Sequence, residues 1–463
     1  MVSFKDKTGA PKRAFPPSGQ RLASRIETAK PSRKARLLSP AAAAVLGGFE
    51  VRLHPAVTAF AASLIVFAPF QAFAQDVNQS VSVRDRARPE YDPLGLRFGG
   101  FDLNARLDLG VVSTDNLFAS ESGEEDDIYY TVSPSARLSS HWSRHALAVS
   151  AGLNHATYSD HSNQNSDTGY IASQGRYDIG ADTQINATAR YAGEVEPRTN
   201  PDALTTGKPV EYTVSQASLS AQHTFNRFKV AAGVDTATYD YHDVGLVDQD
   251  FRDVTQDTLT GSVEAEIGPR FGLTFQASAD HRDYRNDPTN CAGPVACLSS
   301  DGQTYLAGVA LHLTDLIEGH ISAGAFNRDY DSGETLSGFA ADASVDWYIT
   351  QLTTLQFNAN RNAQENGATA DAPYVESRYG AHVDHELLRN VILSAGVQAG
   401  SRDYQGIDRN DTFMSYQLGA DYVLNRRVAL SARYTHDEVN SDGVDRYRDY
   451  TVNAVSLGLS LRL

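Results

Sequence analysis

Residues Phe101 to Val111 place an apolar side chain at every odd position and a polar residue or glycine at every even one. A period of two sends successive side chains to opposite faces of an extended chain, so this stretch predicts a β-strand with one apolar and one polar face. The alternation returns at Leu147–Leu153, Ile185–Tyr191, Leu259–Ile267, Leu273–Ala279, Tyr305–Leu313 and Ile317–Ala325. It continues at Phe339–Trp347, Tyr379–Leu387, Val391–Ala399, Tyr416–Tyr422, Val428–Tyr434 and Val455–Leu463. Weaker copies lie near Tyr130–Leu138, Tyr170–Ile179, Tyr212–Phe225, Val230–Val234 and Leu355–Ala359. No stripe of period 3.6 persists anywhere, so a helical architecture is excluded.

The segments between strands alternate in length. Short links such as Asn226-Arg227, Gly268-Pro269-Arg270, Leu388-Arg389-Asn390 and Leu424-Asn425-Arg426 take turns with long polar ones. The long ones are Ala119–Asp127, Ser159–Asp167, Glu194–Pro209, His242–Val254, Arg285–Gln303, Asn362–Pro373 and Glu438–Asp449. Amphipathic strands of about ten residues, with short turns on one side and long loops on the other, are the signature of an outer-membrane β-barrel. The fold class expected is all-β: a transmembrane antiparallel up-and-down barrel of about 16–18 strands, both termini at the short-turn, periplasmic end.

Charge follows the same phase. Arg106, Arg137, Arg190, Arg282, Arg328, Arg378, Arg402, Arg433 and Arg462 all share the polar parity of their strands. So do Asp102, Asp108, Glu264, Glu266, Asp280, Asp342, Asp346, Asp384 and Asp421. One arginine facing lipid near the midplane costs about 2–4 kcal/mol, so this many on one phase imply a wet interior of both signs. The residues expected to line the lumen are Arg106, Arg190, Arg282, Arg328, Arg402, Arg433, Asp280, Asp342 and Asp346, with Arg282, Arg328 and Arg402 at the mouth.

A second repeat closes several segments just before a long loop: Tyr239-Asp240-Tyr241, Arg282-Asp283-Tyr284, Arg328-Asp329-Tyr330 and Arg402-Asp403-Tyr404. Arg433-Tyr434 and Tyr158 are partial copies. Tyrosines at one height read as an aromatic girdle at the outer interface, made of Tyr158, Tyr239, Tyr284, Tyr330, Tyr404 and Tyr434. The competing reading is a ring of Arg–Asp pairs that selects solutes at the mouth.

Composition changes the picture at the N-terminus. Residues 1–55 hold eleven Lys and Arg against three acids, followed by the apolar run Ala56–Phe70 and then Ala72-Phe73-Ala74. A basic region, a short apolar core and a small-residue site describe a secretory signal peptide; a membrane anchor is the alternative, disfavoured by the shortness of the core. The expected division is a leader over 1–74, a periplasmic segment over 75–98 and the barrel over 99–463. The chain carries 40 basic and 57 acidic residues, a formal charge of −17; without the leader 29 and 54 remain, or −25. That balance disfavours a nucleic-acid partner. Export permits a disulfide, and Cys291 and Cys297 flank a Gly-Pro loop, so they read as a loop staple.

Sites for chemistry are sparse. His141-Trp142-Ser143 sets a histidine and a serine two apart, as lipid-hydrolysing barrels require, but in a polar turn. The histidines are scattered singly, and no cluster reaches metal-site specificity. The acidic run Glu121–Asp127 reads as a solvated loop rather than a site for divalent cations that bridge lipopolysaccharide. The chain is therefore expected to be no enzyme, with no catalytic residue, metal or cofactor. Its expected partners are outer-membrane lipids and lipopolysaccharide, and the barrel-assembly machinery.

Beyond the leader, the block Arg86-Ala87-Arg88-Pro89-Glu90-Tyr91-Asp92-Pro93-Leu94-Gly95-Leu96-Arg97, then Gly100-Phe101 and Thr114-Asp115-Asn116-Leu117-Phe118, resembles the outer-membrane β-barrel (porin type 2) family. Some members of that family are linked to exopolysaccharide biosynthesis and export. The first strand departs from it, with Asp102-Leu103-Asn104-Ala105-Arg106 where the family commonly has a proline-containing apolar segment. The last residue is Leu463 rather than an aromatic. A barrel of this size with a wet, mixed-charge interior is expected to be a porin-like channel for hydrophilic solutes, located in the outer membrane after export. The resemblance implies as an alternative a component of exopolysaccharide biosynthesis or export, partnered by polysaccharide-secretion proteins; the long polar loops allow a structural or adhesive barrel without throughput.

Overall fold

The computed structural model describes residues 81–463 except 202, 204–206, 286–296, 314–315 and 366–371. The leader over 1–74 lies outside the described residues, as does Cys291. A short strand, β1 (Leu96–Phe98), precedes the barrel strands β2 (Phe101–Thr114), β3 (Asp127–Ser140), β4 (Ala146–Tyr158), β5 (Ser166–Ile179), β6 (Thr183–Val195) and β7 (Glu211–Phe225). They continue as β8 (Phe228–Tyr241), β9 (Val254–Gly268), β10 (Phe271–Tyr284), β11 (Ser300–Leu313), β12 (Ile317–Tyr330) and β13 (Thr335–Thr350). The last are β14 (Thr353–Gln364), β15 (Tyr374–Leu388), β16 (Val391–Tyr404), β17 (Asn410–Asn425), β18 (Val428–Asp442) and β19 (Tyr450–Arg462).

Each strand from β2 onward pairs antiparallel with the next in chain order, and β19 returns to pair with β2 from Ala454↔Thr114 to Arg462↔Arg106. The result is a closed antiparallel barrel of 18 strands, β2 to β19, as the period-two pattern predicts. The even count returns the C-terminus to the end where β2 begins. Every alternating segment of the sequence maps to one strand, the last running one residue past it at Leu463. Most strands are longer than their segment, because apolar alternation marks only the part that crosses lipid. A 14-residue strand is about 46 Å long and, tilted by about 40°, spans about 35 Å, more than an apolar band of about 25 Å.

The wall sorts its faces accordingly. Leu418 and Leu457 are 56% and 60% exposed on the outward face, whereas Arg282 and Arg328 are only 7% and 5% exposed on the inward one. Outward aromatics form two belts. Tyr130, Tyr191, Tyr305, Tyr379 and Tyr416 lie toward the loops, and Tyr177, Phe225, Phe228, Phe271, Trp347 and Tyr422 toward the turns.

The girdle read from the sequence needs correction at five of its six positions. Tyr239, Tyr284, Tyr330 and Tyr404 are buried, and Tyr158 stacks on buried Tyr129 at 4.6 Å. Residues two apart on a strand share a face. An inward Arg282, Arg328 or Arg402 therefore carries Tyr284, Tyr330 or Tyr404 inward with it. Tyr434 alone of the six is outward, because it adjoins Arg433 rather than following it by two.

Short turns close the end that holds the termini. The two-residue link between β7 and β8 places Asn226 at φ 56°, a left-handed conformation that asparagine tolerates better than other non-glycine residues and that hairpin turns of this length demand. At the other end, the connections include the long segments 115–126, 196–210 and 242–253. Two connections on that side, 331–334 and 405–409, are short, so the rim is uneven.

Closure leaves one irregularity. The other edge of β2 pairs with β3 along its whole length, from Phe101↔Ser140 to Thr114↔Asp127. On the closing edge, β19 stops at Arg462, with the Leu463 amide donating to the Ala105 carbonyl at 2.9 Å. Below that point β1 takes over, pairing Leu96↔Leu103 and Phe98↔Phe101. The first few residues of β2 are thus covered by the chain's own preceding hairpin.

Candidate functional site

The lumen carries its charges in two tiers, one at each mouth. At the loop-side mouth, Arg328 from β12 pairs with Asp280 from β10 at 2.5 Å and with the Ser300 hydroxyl at 3.0 Å. Glu365, just beyond β14, reaches in to pair with Arg282 and lies 3.4 Å from Arg328. The Tyr330 hydroxyl donates to the same carboxylate at 3.3 Å. Farther round, Glu376 on β15 receives Arg402 at 3.0 Å and Arg378 at 2.9 Å. Both guanidiniums stack over the Phe413 ring, at 4.5 and 4.9 Å to its centroid. Arg409 closes this cluster on Asp411 at 2.6 Å, and the Tyr404 hydroxyl donates to that carboxylate at 3.2 Å.

Loops fold over this tier. Described residues of the β6–β7 connection meet the β18–β19 connection and the start of β19: the Tyr450 hydroxyl donates to the Thr199 carbonyl at 2.7 Å, and the Tyr447 hydroxyl to the Ala203 carbonyl at 3.1 Å. Arg448 donates to the Arg198 carbonyl at 2.8 Å. At its root, Glu196 pairs with Arg252 at 2.5 Å, and both side chains are buried. In the loop between β4 and β5, His161 bonds Asp127 at 2.9 Å and Glu125 at 2.6 Å. The hydrogen bond to Asp127, then that to Glu125, holds its imidazole above the ordinary value.

Toward the turns, Arg433 pairs with Asp421 at 3.0 Å, and Arg106 with Asp108 at 2.6 Å and the Ser460 hydroxyl at 2.8 Å. Asp346 accepts from Gln356 at 2.8 Å, and Asp342 meets His320 at 2.5 Å. Arg190 pairs with Glu194 on its own strand.

Each of the nine candidate residues keeps the polar parity of its strand, and each has a partner. They do not form one site. Asp280, Arg282, Arg328 and Arg402 belong to the loop-side tier, Arg190 to the upper wall, Asp342 to the middle, and Arg106, Arg433 and Asp346 to the turn-side tier. Arg282, Arg328 and Arg402, expected to line the mouth, are each buried near the loop-side ends of their strands. More exposed inside the barrel are Arg137, Arg190 and Arg106. Glu365, Glu376, Arg409 and the pair Arg252–Glu196 escaped sequence reasoning. Glu365, Arg409, Arg252 and Glu196 lie in or beside loops, where no period marks an inward side chain, although Glu376 shares the parity of Arg378. Cys297 is buried and disulfide-bonded. His141 bonds Asp102 at 3.1 Å beside the short turn.

A polar interior of paired charges inside an apolar wall suits a hydrated path for small polar solutes. The fold is similar to the outer membrane protein opdK from Pseudomonas aeruginosa, with a TM-score of 0.42 and 9% identity, covering 78% of this chain and 99% of that one. It is similar also to Pseudomonas aeruginosa OccK2 (OpdF), with a TM-score of 0.44 and 11% identity over 78% and 98% of the two chains. The siderophore receptor PiuA from Acinetobacter baumannii gives 0.42 and 11% over 80% and 82%. No curated protein matches the sequence. Residues 88–463, the whole barrel and the segment leading into it, match one family model, and the chain belongs to that family, described as "Putative beta-barrel porin 2".

Proposed function

We propose that the protein conducts small hydrophilic solutes across the outer membrane through a lumen narrowed at both mouths. The observation that carries this is the sorting of the wall: apolar side chains outward, and charged side chains inward, with arginine–carboxylate pairs toward both mouths. On this reading the path discriminates by size and by the charges it leaves uncovered, among them Arg137, Arg190 and Arg106. On this reading the leader exports the chain and is cleaved after Ala74, the assembly machinery inserts the barrel, and lipopolysaccharide surrounds its outward face.

Planar-bilayer recording tests this on protein taken from outer membranes, whose N-terminal sequence should begin at Gln75. Discrete channel currents are expected. Replacing Arg106, Arg137 and Arg190 together by alanine should move the reversal potential in a salt gradient toward cation preference. A folded barrel that passes no current, or a triple variant with the wild-type reversal potential, overturns the reading.

A further inference from the structure

The segment ahead of β1 does not hang free below the barrel. Val83 is fully buried, and its amide donates to the Thr354 hydroxyl on β14 at 3.0 Å. Arg84 lies 2.9 Å from Asp384 on β15 and 3.1 Å from Asp421 on β17. Arg88, itself buried, pairs at 3.0 Å with Glu386, whose side chain is only 1% exposed. The wall grips back, because Arg426 donates to the Pro89 carbonyl at 2.6 Å and Arg462 to that of Tyr91 at 3.3 Å. Thr354, Asp384, Glu386 and Asp421 all have inward parity near the short turns, so these contacts lie inside the mouth.

Geometry and charge agree here. Asp384, Glu386 and Asp421 would meet water or a passing solute if nothing covered them. Asp384 also has His382 at 3.2 Å, Glu386 has Arg389 at 3.4 Å, and Asp421 has Arg433. Arg84 and Arg88 pair with these carboxylates from outside the barrel wall, and Arg86 between them lies within electrostatic reach of Glu386. Their pairs join residues about 300 positions apart in the chain, so the contact is tertiary and can open without unravelling any strand. We propose that residues 82–92 form a strap seated in the short-turn mouth, latched by Arg84 and Arg88, and that release of this latch widens the passage. The proposal rests on the channel reading above and adds a gate to it.

The test uses the full chain. A Val83→Cys variant, with the native cysteines oxidised, reports the strap through its rate of reaction with a membrane-impermeant maleimide. Adding Arg84→Glu and Arg88→Glu should raise that rate at least roughly tenfold, since breaking a buried pair shifts local opening strongly. The same substitutions without the new cysteine should raise single-channel conductance. Arg88→Glu combined with Glu386→Arg should return labelling and conductance toward those of the parent. Unchanged labelling overturns the latch, and faster labelling at unchanged conductance overturns the gate. If neither parent nor variant conducts, the channel reading falls and the gate with it, while labelling still decides the latch.

Discussion

At the scale of single residues, the governing relation is the two-residue repeat of a strand. It made the inward arginines legible, because each sits at even spacing from its polar neighbours. The same relation determines where the tyrosines of the Arg-Asp-Tyr repeat go, and ignoring it misplaces them in the lipid interface. Their loop-side partners were not legible: Glu365 has no periodic neighbour to show that it turns inward. Its importance is testable. Arg282 and Arg328 are buried side by side, and without Glu365 they share Asp280 alone. Removing one partner of a buried pair costs about 3–5 kcal/mol, so Glu365→Gln should lower unfolding stability in lipid vesicles by that order. A urea midpoint equal to that of the parent would refute the clamp. His161 makes a separate prediction. Its folded pKa lies above its unfolded value of about 6.5, so its contribution is complete below about pH 6.5 and fades as pH rises through the folded value. Stability of the parent should therefore decline with rising pH relative to His161→Gln, and parallel pH profiles would remove His161 from the account.

At the scale of elements, every one of the strands that cross the membrane announces itself, because lipid enforces alternation where it touches the wall. Their ends do not, since above the apolar band either face may be polar. The short connections 331–334 and 405–409 went unseen for the same reason: polar strand ends were read as loop. The strap was hidden differently. Arg84, Arg86 and Arg88 share a period of two, yet nothing local names their distant carboxylates. The wall itself offers a paired test within β17. Leu418→Arg, outward, should cost about 2–4 kcal/mol if near the midplane, while Gln417→Arg, inward, should cost much less. Refolding titrations into vesicles measure both, and equal costs would contradict the assigned faces.

At the scale of the whole molecule, a barrel joins its first strand to its last, and the bore depends on how far one slides past the other before pairing. No hydrogen-bonding turn connects β19 to β2, so this seam has no loop to set its alignment. The β1 hairpin supplies what a turn would. By occupying the edge of β2 at Phe101 and Leu103, it stands where β19 would go if it slipped downward by two or four residues, the slips that preserve the inward and outward faces. A period-two pattern cannot reject such slips by itself, because every side chain would keep its face. Three residues ahead of the barrel thereby act as an end-stop for β19, and the shear of the cylinder, and with it the bore, is fenced by a stretch of chain that never crosses the membrane.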